Sequence, residues 1–378
     1  MMQWIALIAL LHAYVAWRLL PALPFGLAAM LALGVWLLLS LLLIPLGFAA
    51  RRVQRQPLSD VLAWSGLVMM GAFSSLFVLT VLRDVALLLA SAASGWLVAP
   101  AATGLFRNYS ALAVPVLAAI ASALGFLNAR MRAAIRRVDV PIANLPSALH
   151  GFTIAQISDI HVGPTIKRDY LDAIVDAVNE LGADLIAVTG DLVDGSVAHL
   201  WQHTQPLSRL SARHGAYFVT GNHEYYSGVE PWLSEIRRLG LRVLMNEHVV
   251  LRHDGATVVV GGVTDHDAHH YDPTQRSDPA AAMVGAPHRA AFRLLLAHQP
   301  RSAFAAAAVG FDLQLSGHTH GGQFLPWTFL VRLQQPITAG LHRVESLWVY
   351  VSRGTGYWGP PLRLGAPSEI THLRLVPA

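Results

Sequence analysis

The chain has 378 residues, which is enough for two domains of average size. It is 54% hydrophobic and 13% charged, and the absence of cysteine excludes disulfides, thiolate metal sites and a cysteine nucleophile. The charge divides unevenly, because residues 1–137 carry a formal charge of +8 and residues 138–378 carry −4. The basic character belongs to the first third alone, so no nucleic-acid-binding surface is expected on the remainder.

The first third is predicted to be a bundle of about four transmembrane helices. A helix rises about 1.5 Å per residue, so a run of about 20 apolar residues can cross the hydrocarbon core. Such runs lie at 3–22, 25–50, 61–82 and 111–128. The first run lacks a preceding basic region and three more follow, which favours a retained helix over a signal peptide. Residues 85–101 are expected to form a re-entrant or interfacial segment, with a fifth span as the alternative.

Arginines predict the orientation of these spans. One cluster follows the second span and consists of Arg51, Arg52 and Arg55. A second cluster follows the fourth span and consists of Arg130, Arg132, Arg136 and Arg137. The positive-inside rule then places both clusters, both termini and the rest of the chain on the cytoplasmic side of a multi-pass membrane protein. Membrane lipids are expected partners, and because no opposite charge pair is evident within the spans, the helices are expected to be an anchor.

Residues 138–151, which contain two prolines, are predicted to be a linker, and the pattern changes at residue 152. From there, short β-branched runs alternate with helical stretches, which predicts a layered α/β domain over 152–378. Helices are expected at 170–181, 199–212, 229–239 and 303–308. Strands are expected at 152–157, 184–189, 215–220, 242–245, 247–252, 256–261, 292–297, 312–315, 347–352 and 369–375.

Polar groups follow five of these predicted strands, where open α/β sheets place their active sites. Carboxylate and imidazole ligands suit divalent Mn, Fe or Zn, and a two-residue spacing projects two side chains from one side of an extended segment. Any one group alone is more often a turn or a core histidine, but five in this order favour a metal site. The groups are Asp159-Ile-His161, Gly190-Asp191-Leu-Val-Asp194, Gly221-Asn222-His223-Glu224, His298 and Gly317-His318-Thr-His320-Gly-Gly322.

With these motifs, residues 152–375 resemble the calcineurin-like metallophosphoesterase family, and especially its membrane-linked branch of transmembrane and bacterial phosphodiesterase-like proteins. The resemblance implies a four-layer α/β/β/α domain that binds two divalent metal ions. It implies that one ion is held by Asp159, His161, Asp191 and His320. The second ion would be held by Asp191, Asn222, His298 and His318.

The same resemblance implies the roles of the remaining motif residues. A hydroxide that bridges the two ions would attack phosphorus in line, with Asp191 shared between the ions. His223 would stabilise the transition state or protonate the leaving oxygen. Asp194 and Glu224 would orient a ligand or His223 through hydrogen bonds, with a purely structural role as the alternative.

Three segments surround the predicted site. Phe324, Trp327 and Phe329 are expected to form either a core segment or an apolar wall for an acyl chain or the bilayer surface. Arg353 and Arg363 are candidates for holding a phosphate or nucleotide group, with closure of the sandwich as the alternative. Residues 265–272 are expected to be a surface loop at the site entrance.

The sequence therefore predicts a membrane-anchored, metal-dependent hydrolase of a phosphodiester or pyrophosphate bond. Its phosphate-ester substrate is expected to be lipid-linked or nucleotide-linked, and UDP-2,3-diacylglucosamine is a specific alternative suggested by analogy with relatives. An alternative of another class is a membrane scaffold or sensor with a non-catalytic phosphoesterase domain. Against that alternative, none of the expected metal ligands is missing.

Overall fold

A computed structural model describes residues 2–50, 53, 55–94 and 100–378 of the chain. The chain divides into two compact units. One is helical and comprises Met1–Leu127 with Gly359–Leu362, and the other is an α/β unit that comprises Asn128–Trp358 with Arg363–Ala378. Each unit has a hydrophobic core of its own.

The helical unit contains the four predicted apolar helices. The stretches long and apolar enough to cross a membrane are Gln3–Ala22, Gly26–Ala49, Leu58–Ala92 and Gly104–Arg130. They belong to α1 (Met2–Leu19) with the short turn after it, α2 (Gly26–Ala49), α3 (Leu58–Ser94) and α4 (Pro100–Arg130). Their outer faces are largely apolar and exposed, as expected of helices whose solvent is lipid.

The prediction of a separate re-entrant segment at 85–101 is wrong for the part that the structure describes. Residues 85–94 continue α3 without a break, because this Ala- and Leu-rich stretch contains no glycine or proline that would end a helix. Residues 95–99 lie outside the described residues. So do Arg51 and Arg52 of the first arginine cluster.

Two glycines let α2 and α3 pack closely. A Cβ atom added to Gly66 would lie 2.5 Å from the Cα of Gly47, and one added to Gly47 would lie 2.7 Å from the Cα of Gly66. Small residues at such a crossing allow backbones to approach, and packing of this kind holds helices together in lipid.

The helical unit also contains a polar cluster between α1 and α3 that the sequence did not reveal. The Arg18 guanidinium donates to both oxygens of Asp84, with Nε 2.7 Å and Nη2 2.9 Å from them. The phenol of Tyr14 donates to the same carboxylate over 2.6 Å. The expectation that the spans lack an opposite charge pair therefore does not hold for the structure.

The α/β unit contains two six-stranded sheets. In the first, the strand order is β1-β12-β2-β3-β4-β5, and in the second it is β10-β11-β9-β8-β7-β6. The strands of the first sheet are β1 (Ala134–Ile142), β2 (Thr153–Ile157), β3 (Leu185–Val188), β4 (Ala216–Phe218), β5 (Arg242–Val243) and β12 (Glu369–Pro377). Those of the second are β6 (Glu247–His253), β7 (Ala256–Gly262), β8 (Phe292–Leu296), β9 (Leu313–Ser316), β10 (Gly340–Val344) and β11 (Leu347–Val351).

Alternating apolar side chains stack the two sheets between helices. Leu185 and Ala187 of β3 face the second sheet, whereas Ile186 and Val188 face the helices, because successive strand residues point to opposite faces. The helices are α5 (Arg168–Glu180), α6 (Val197–Thr204), α7 (Asn222–Ser227), α8 (Val229–Arg238), α9 (Ala303–Val309) and α10 (Trp327–Leu330). With α5 and α8 on the first sheet and α9 on the second, the predicted α/β/β/α layering is confirmed.

Three elements differ from their predicted extents. The expected linker at 138–151 begins within β1, which pairs in parallel with β12 at the edge of the first sheet. Strand β10 was not predicted, because its sequence, Gly-Leu-His-Arg-Val, contains neither a β-branched run nor an alternation of apolar and polar residues. The helix expected at 199–212 ends at Thr204, since Pro206 cannot supply the backbone N–H that would continue it, and a 3₁₀ turn follows.

Parallel pairing positions the functional motifs. Strands β2, β3 and β4 run parallel within the first sheet, and β8 and β9 run parallel within the second. The carboxyl ends of parallel strands meet at one edge of their sheet, so the polar groups that follow them converge there.

Candidate active site

Eight predicted site residues emerge directly from strand ends or helix starts. Asp159 and His161 follow β2, Asp191 follows β3, and Asn222 and His223 begin α7 after β4. His298 follows β8, and His318 and His320 follow β9. Residues from both sheets therefore supply the site, although 96 or more positions separate His318 from the motifs of the first sheet that it approaches.

The backbone of this site is held in an unusual conformation. Five non-glycine residues have a positive φ: Asp159 (53°), His161 (57°), Asp191 (51°), His318 (70°) and His320 (51°). Side chains with a Cβ rarely adopt this left-handed region, and such residues cluster at sites where the surrounding structure forces a functional geometry. All five belong to the predicted metal-ligand set.

Two glycines of the motifs are required by close packing. A Cβ atom at Gly317 would overlap the Asp159 carboxylate and the Ser158 hydroxyl, and one at Gly221 would overlap the Asp191 carboxylate. The two motif glycines therefore leave room for the two carboxylates rather than merely forming turns.

The first group of donor atoms comes from Asp159, His161 and His320, all of which are buried. Nε2 of His161 lies 3.1 Å from Nε2 of His320, and the latter lies 3.4 Å from Oδ1 of Asp159. Oδ2 of Asp191 lies 3.9 Å from Nε2 of His161, so this carboxylate also borders the first group.

The second group comes from Asp191, His298 and His318. Nε2 of His298 lies 3.1 Å from Oδ2 of Asp191 and 3.2 Å from Nδ1 of His318. Nδ1 of His318 also lies 3.1 Å from Oδ1 of Asn222. The structure thus brings together all seven residues predicted to hold metal, and Asp191 stands between the two groups.

The donor set fits divalent cations. Two imidazole nitrogens that face each other at 3.1–3.2 Å, beside carboxylate oxygens, have converging lone pairs. Ligand atoms bound to one ion at about 2.1 Å lie about 3 Å apart, which is the spacing found here. His298 points Nε2 inward because its Nδ1 contacts the carbonyl oxygen of Thr189 over 2.8 Å, which orients the ring as in many metal-ligating histidines.

Two of the histidines are neutral at physiological pH. Burial lowers the pKa of His318 to about 3, with a further contribution from His298. Burial also lowers the pKa of His320 well below its ordinary value, and Arg363 and His161 add to the effect. A neutral imidazole offers a lone pair, which is the form that binds a cation.

His223 stands beside the two donor groups in the opposite electrostatic state. Its Nδ1 lies 2.5 Å from Oδ1 of Asp194, and the same oxygen lies 3.2 Å from Nδ1 of His161. Burial disfavours the charged ring, but Asp191 and the hydrogen bond to Asp194 outweigh it and raise the pKa of His223 to about 9. His223 is therefore protonated at neutral pH, and Asp194 orients both His223 and a candidate ligand.

Glu224 positions the backbone of the site, and its hydrogen bonds are with backbone N–H groups and not with His223. Its carboxylate accepts hydrogen bonds from the N–H groups of Gly221 (2.7 Å), Asp191 (3.0 Å) and Leu192 (2.8 Å). Burial and the charge of Asp191 raise the pKa of Glu224 to about 8, although two of these N–H groups lower it. Glu224 thereby fixes the positions of the Asp191 and Asn222 loops relative to each other.

The structure does not bring Arg363 to a position where it can hold a substrate. Its guanidinium is fully buried and donates to the carbonyl oxygens of His320 (3.0 Å) and Arg353 (2.7 Å), while Nη2 lies 3.0 Å from Nδ1 of His320. Arg363 therefore positions His320. Arg353 is half-buried and donates to Glu369 over 3.0 Å, so its head group is engaged as well.

The predicted apolar segment divides into a buried and an exposed part. Phe324 is buried, whereas Trp327 and Phe329 of α10 are 43% and 65% exposed. The loop 265–272 bends towards the site. Asp265 is buried there, and both its oxygens lie within 3.3 Å of Nε2 of Gln299.

An aromatic group that the sequence did not predict lies beside His223. The ring of Tyr226 lies 5.0 Å from the His223 ring, that of Trp358 lies 5.9 Å from it, and Tyr271 lies 5.6 Å from Tyr226. All three aromatic side chains are about half exposed. Only the position of Tyr226, one helical turn after His223, could have indicated this group.

Comparison with known proteins finds a matching family and related sequences. The family model described as calcineurin-like phosphoesterase matches residues 152–322. The chain is 38% identical over 282 residues to a Danio rerio protein named transmembrane protein with metallophosphoesterase domain, covering 72% of this chain and 64% of that protein. It is 33% identical over 221 residues to a metallophosphoesterase of Aquifex aeolicus, covering 57% of this chain and 82% of that protein. A structure of Haemophilus influenzae NAD nucleotidase matches with a TM-score of 0.40 and 17% identity, covering 55% of this chain and 45% of that one.

A two-sheet α/β domain with carboxylates and histidines clustered at its strand ends is the architecture of the metallophosphoesterase class. The chain belongs to the calcineurin-like metallophosphoesterases, and it carries four helices that are long and apolar enough to cross a membrane. It spans 64% of the length of the Danio rerio protein, so the substrate and partners of the whole protein are matters for proposal.

Proposed function

We propose that this protein is a membrane-anchored hydrolase of a phosphodiester or pyrophosphate bond that uses two divalent cations. The observation that carries the proposal is the pair of donor groups on either side of Asp191. Asp159, His161 and His320 would hold one cation, and Asn222, His298 and His318 the other, with Asp191 facing both. Bound cations of this class neutralise phosphoryl oxygens and lower the pKa of water.

The side chains themselves supply proton transfer and positioning. His223 carries a proton at neutral pH and lies beside the half-exposed rings of Tyr226 and Trp358, so it can donate this proton to the leaving oxygen of a substrate bound there. Asp194 holds the His223 ring with its other nitrogen directed away from the carboxylate. Glu224 and Arg363 keep the loops of Asp191 and His320 in place.

The surroundings of His223 favour a substrate with a large apolar or planar group. Tyr226, Tyr271 and Trp358 expose aromatic surface beside the proposed proton donor, and such rings contact acyl chains or stack with nucleobases. Trp327 and Phe329 expose a further apolar surface. These features support a lipid-linked or nucleotide-linked substrate over a small soluble ester.

The test is hydrolysis by the full chain purified in detergent and loaded with Mn²⁺. Bis-p-nitrophenyl phosphate serves as a general diester, and release of UMP from UDP-2,3-diacylglucosamine tests the specific alternative. Asp191→Asn is the inactive control, and Asp176→Asn, which alters an exposed carboxylate of α5, is the matched control. Release of UMP that only Asp191→Asn abolishes would assign the pyrophosphate substrate.

Hydrolysis of the diester alone would retain the metal-dependent reaction and discard UDP-2,3-diacylglucosamine. Failure on both substrates with bound metal would favour the non-catalytic scaffold. Metal content measured on the same samples separates these outcomes. It also identifies the ions, for which Mn, Fe and Zn all suit the ligands.

We also propose four spans with the catalytic unit on the cytoplasmic face. Arg55 and Arg130 lie at the helix ends that the positive-inside rule places in the cytoplasm. Because the chain has no cysteine, single substitutions can be labelled without background. A membrane-impermeant thiol reagent should label Pro24→Cys in intact cells and label Ala280→Cys only after lysis, and the reverse result would refute this orientation.

A further inference from the structure

The helical unit contains a recess lined by arginines at the end where α1 ends and α4 begins. Its volume is about 700 Å³, and the described residues that line it include Arg18, Arg83 and Arg107. Apolar side chains of Trp17, Leu87 and Phe106 complete much of the wall. Neither the hydrolytic site nor the proposed anchor function uses this recess.

Among the residues that the structure describes, Asp84 is the carboxylate that contacts these arginines, and its oxygens already accept hydrogen bonds. Asp84 accepts four hydrogen bonds, from Tyr14, from Nε and Nη2 of Arg18, and from Nη1 of Arg83. In the described part of the helical unit the other acidic side chain is Asp60, in the first turn of α3. At about 1.5 Å per residue, Asp60 lies roughly 36 Å along the helix from Asp84.

Positive charge therefore exceeds negative charge by two in the recess. Arg83 is buried, and its remaining partners are neutral: the Ser110 hydroxyl at 3.0 Å and the carbonyl oxygens of Arg18 and Arg107 at 3.3 and 3.0 Å. These groups satisfy its hydrogen bonds without neutralising its charge. The side chain of Arg107 is exposed at the rim. Excess buried charge is costly in a low-dielectric bundle unless an anion completes the cluster.

We propose that this recess binds a phosphate group through Arg18 and Arg107. The buried Arg83 adds positive charge to the wall of the recess. Guanidinium groups bind phosphate oxygens by hydrogen bonds, so a phosphate mono- or diester matches the cluster in charge. Arg107 can offer paired hydrogen bonds, whereas Asp84 already engages Nε and Nη2 of Arg18 and leaves its Nη1 for the phosphate. The apolar wall and the exposed Trp17 beside the recess favour a phosphate that carries acyl chains, as in an anionic phospholipid.

The test uses the full chain in nanodiscs or detergent, with phosphatidylglycerol and phosphatidylcholine as probes. Binding is measured by native mass spectrometry and by titration of fluorescent lipid. Arg107→Gln removes the exposed rim charge. Arg55→Gln removes an exposed arginine from the opposite end of the bundle and is the matched control. Arg107→Lys keeps the charge, and circular dichroism melts check that all variants are folded.

We expect wild type to prefer phosphatidylglycerol, Arg107→Gln to bind it roughly tenfold more weakly, and Arg55→Gln to remain like wild type. Equal binding of both lipids by wild type, or equal losses in Arg107→Gln and Arg55→Gln, would overturn the proposal. Displacement of phosphatidylglycerol by millimolar inorganic phosphate would show that a soluble phosphate ester also fits. Its failure to displace would assign the site to lipid.

Discussion

Replacing Asp194 by Asn tests whether His223 donates a proton. Asp194 contacts Nδ1 of His223 at 2.5 Å and Nδ1 of His161 at 3.2 Å, and its side chain is only 12% exposed. Asn keeps the volume and one acceptor oxygen but removes the negative charge. The two contacts then become neutral hydrogen bonds, and the protonated form of His223 loses its nearest counter-charge.

The magnitude follows from the strength of these contacts. Hydrogen bonds to charged groups contribute about 1.5–3 kcal/mol, and about 1.4 kcal/mol corresponds to a tenfold change in rate. Loss of the charge should therefore lower kcat/KM by about 10- to 100-fold for a diester whose leaving group needs a proton. Asp176→Asn, at an exposed carboxylate paired with Arg209, should leave kcat/KM within about twofold.

Two substrates and a pH profile distinguish proton donation from metal positioning. A p-nitrophenyl ester leaves without protonation, so Asp194→Asn should impair it less than an alkyl ester. The pKa of His223 is about 9 in the wild type, so activity on the alkyl ester should decline only above that pH. In Asp194→Asn the pKa of His223 falls, so the decline should begin at lower pH.

Equal losses on both esters with an unchanged pH profile would refute the role of His223 as proton donor. If excess Mn²⁺ restored the activity of Asp194→Asn, the loss would instead arise from the contact between Asp194 and His161.

Three further predictions follow from packing and charge. Gly317→Ala should cost about 1–3 kcal/mol and lower metal content, because its Cβ would displace the Asp159 carboxylate, and unchanged unfolding and metal analyses would contradict this. The double variant Trp327→Ser, Phe329→Ser should reduce hydrolysis of a lipid-linked substrate far more than hydrolysis of a small soluble ester. Phe304→Ser, at another exposed ring, should change neither activity. Equal losses on both substrates in the double variant would refute the apolar wall. Burial, and secondarily Arg137 and Arg374, lowers the pKa of His372. The unfolded chain therefore binds a proton that the folded chain does not, and this lowers the free energy of unfolding as the pH falls below about 6.5. The free energy of unfolding in denaturant should differ less between pH 7.5 and pH 5 in His372→Asn than in the wild type.

The sequence by itself indicated much of the fold and of the candidate site, because both rest on local patterns. Apolar runs of about 20 residues predict helices that are long enough to cross a membrane, and the structure contains such a helix at each of the four predicted positions. Polar motifs at the ends of parallel strands meet at one sheet edge, so Asp159 and Asn222 of the first sheet could be placed together without knowing the distance between them, whereas His318 of the second sheet was placed beside them by the family resemblance. The alternation of Leu185 to Val188 between the two faces of β3 follows from the same kind of local pattern.

Only the tertiary structure decided the features that depend on contacts between distant residues. Arg363 was predicted as a candidate substrate ligand. In the structure it is buried and donates to the carbonyl oxygen of His320, from which 43 positions separate it, so it positions His320 instead. The contact of Arg18 with Asp84 spans 66 positions and depends on how α1 packs against α3. The positive φ at Asp159 is likewise imposed by its surroundings, because no isolated residue with a Cβ prefers that conformation. Hydropathy and strand ends are local properties, whereas charge pairing and burial arise only once the chain is packed.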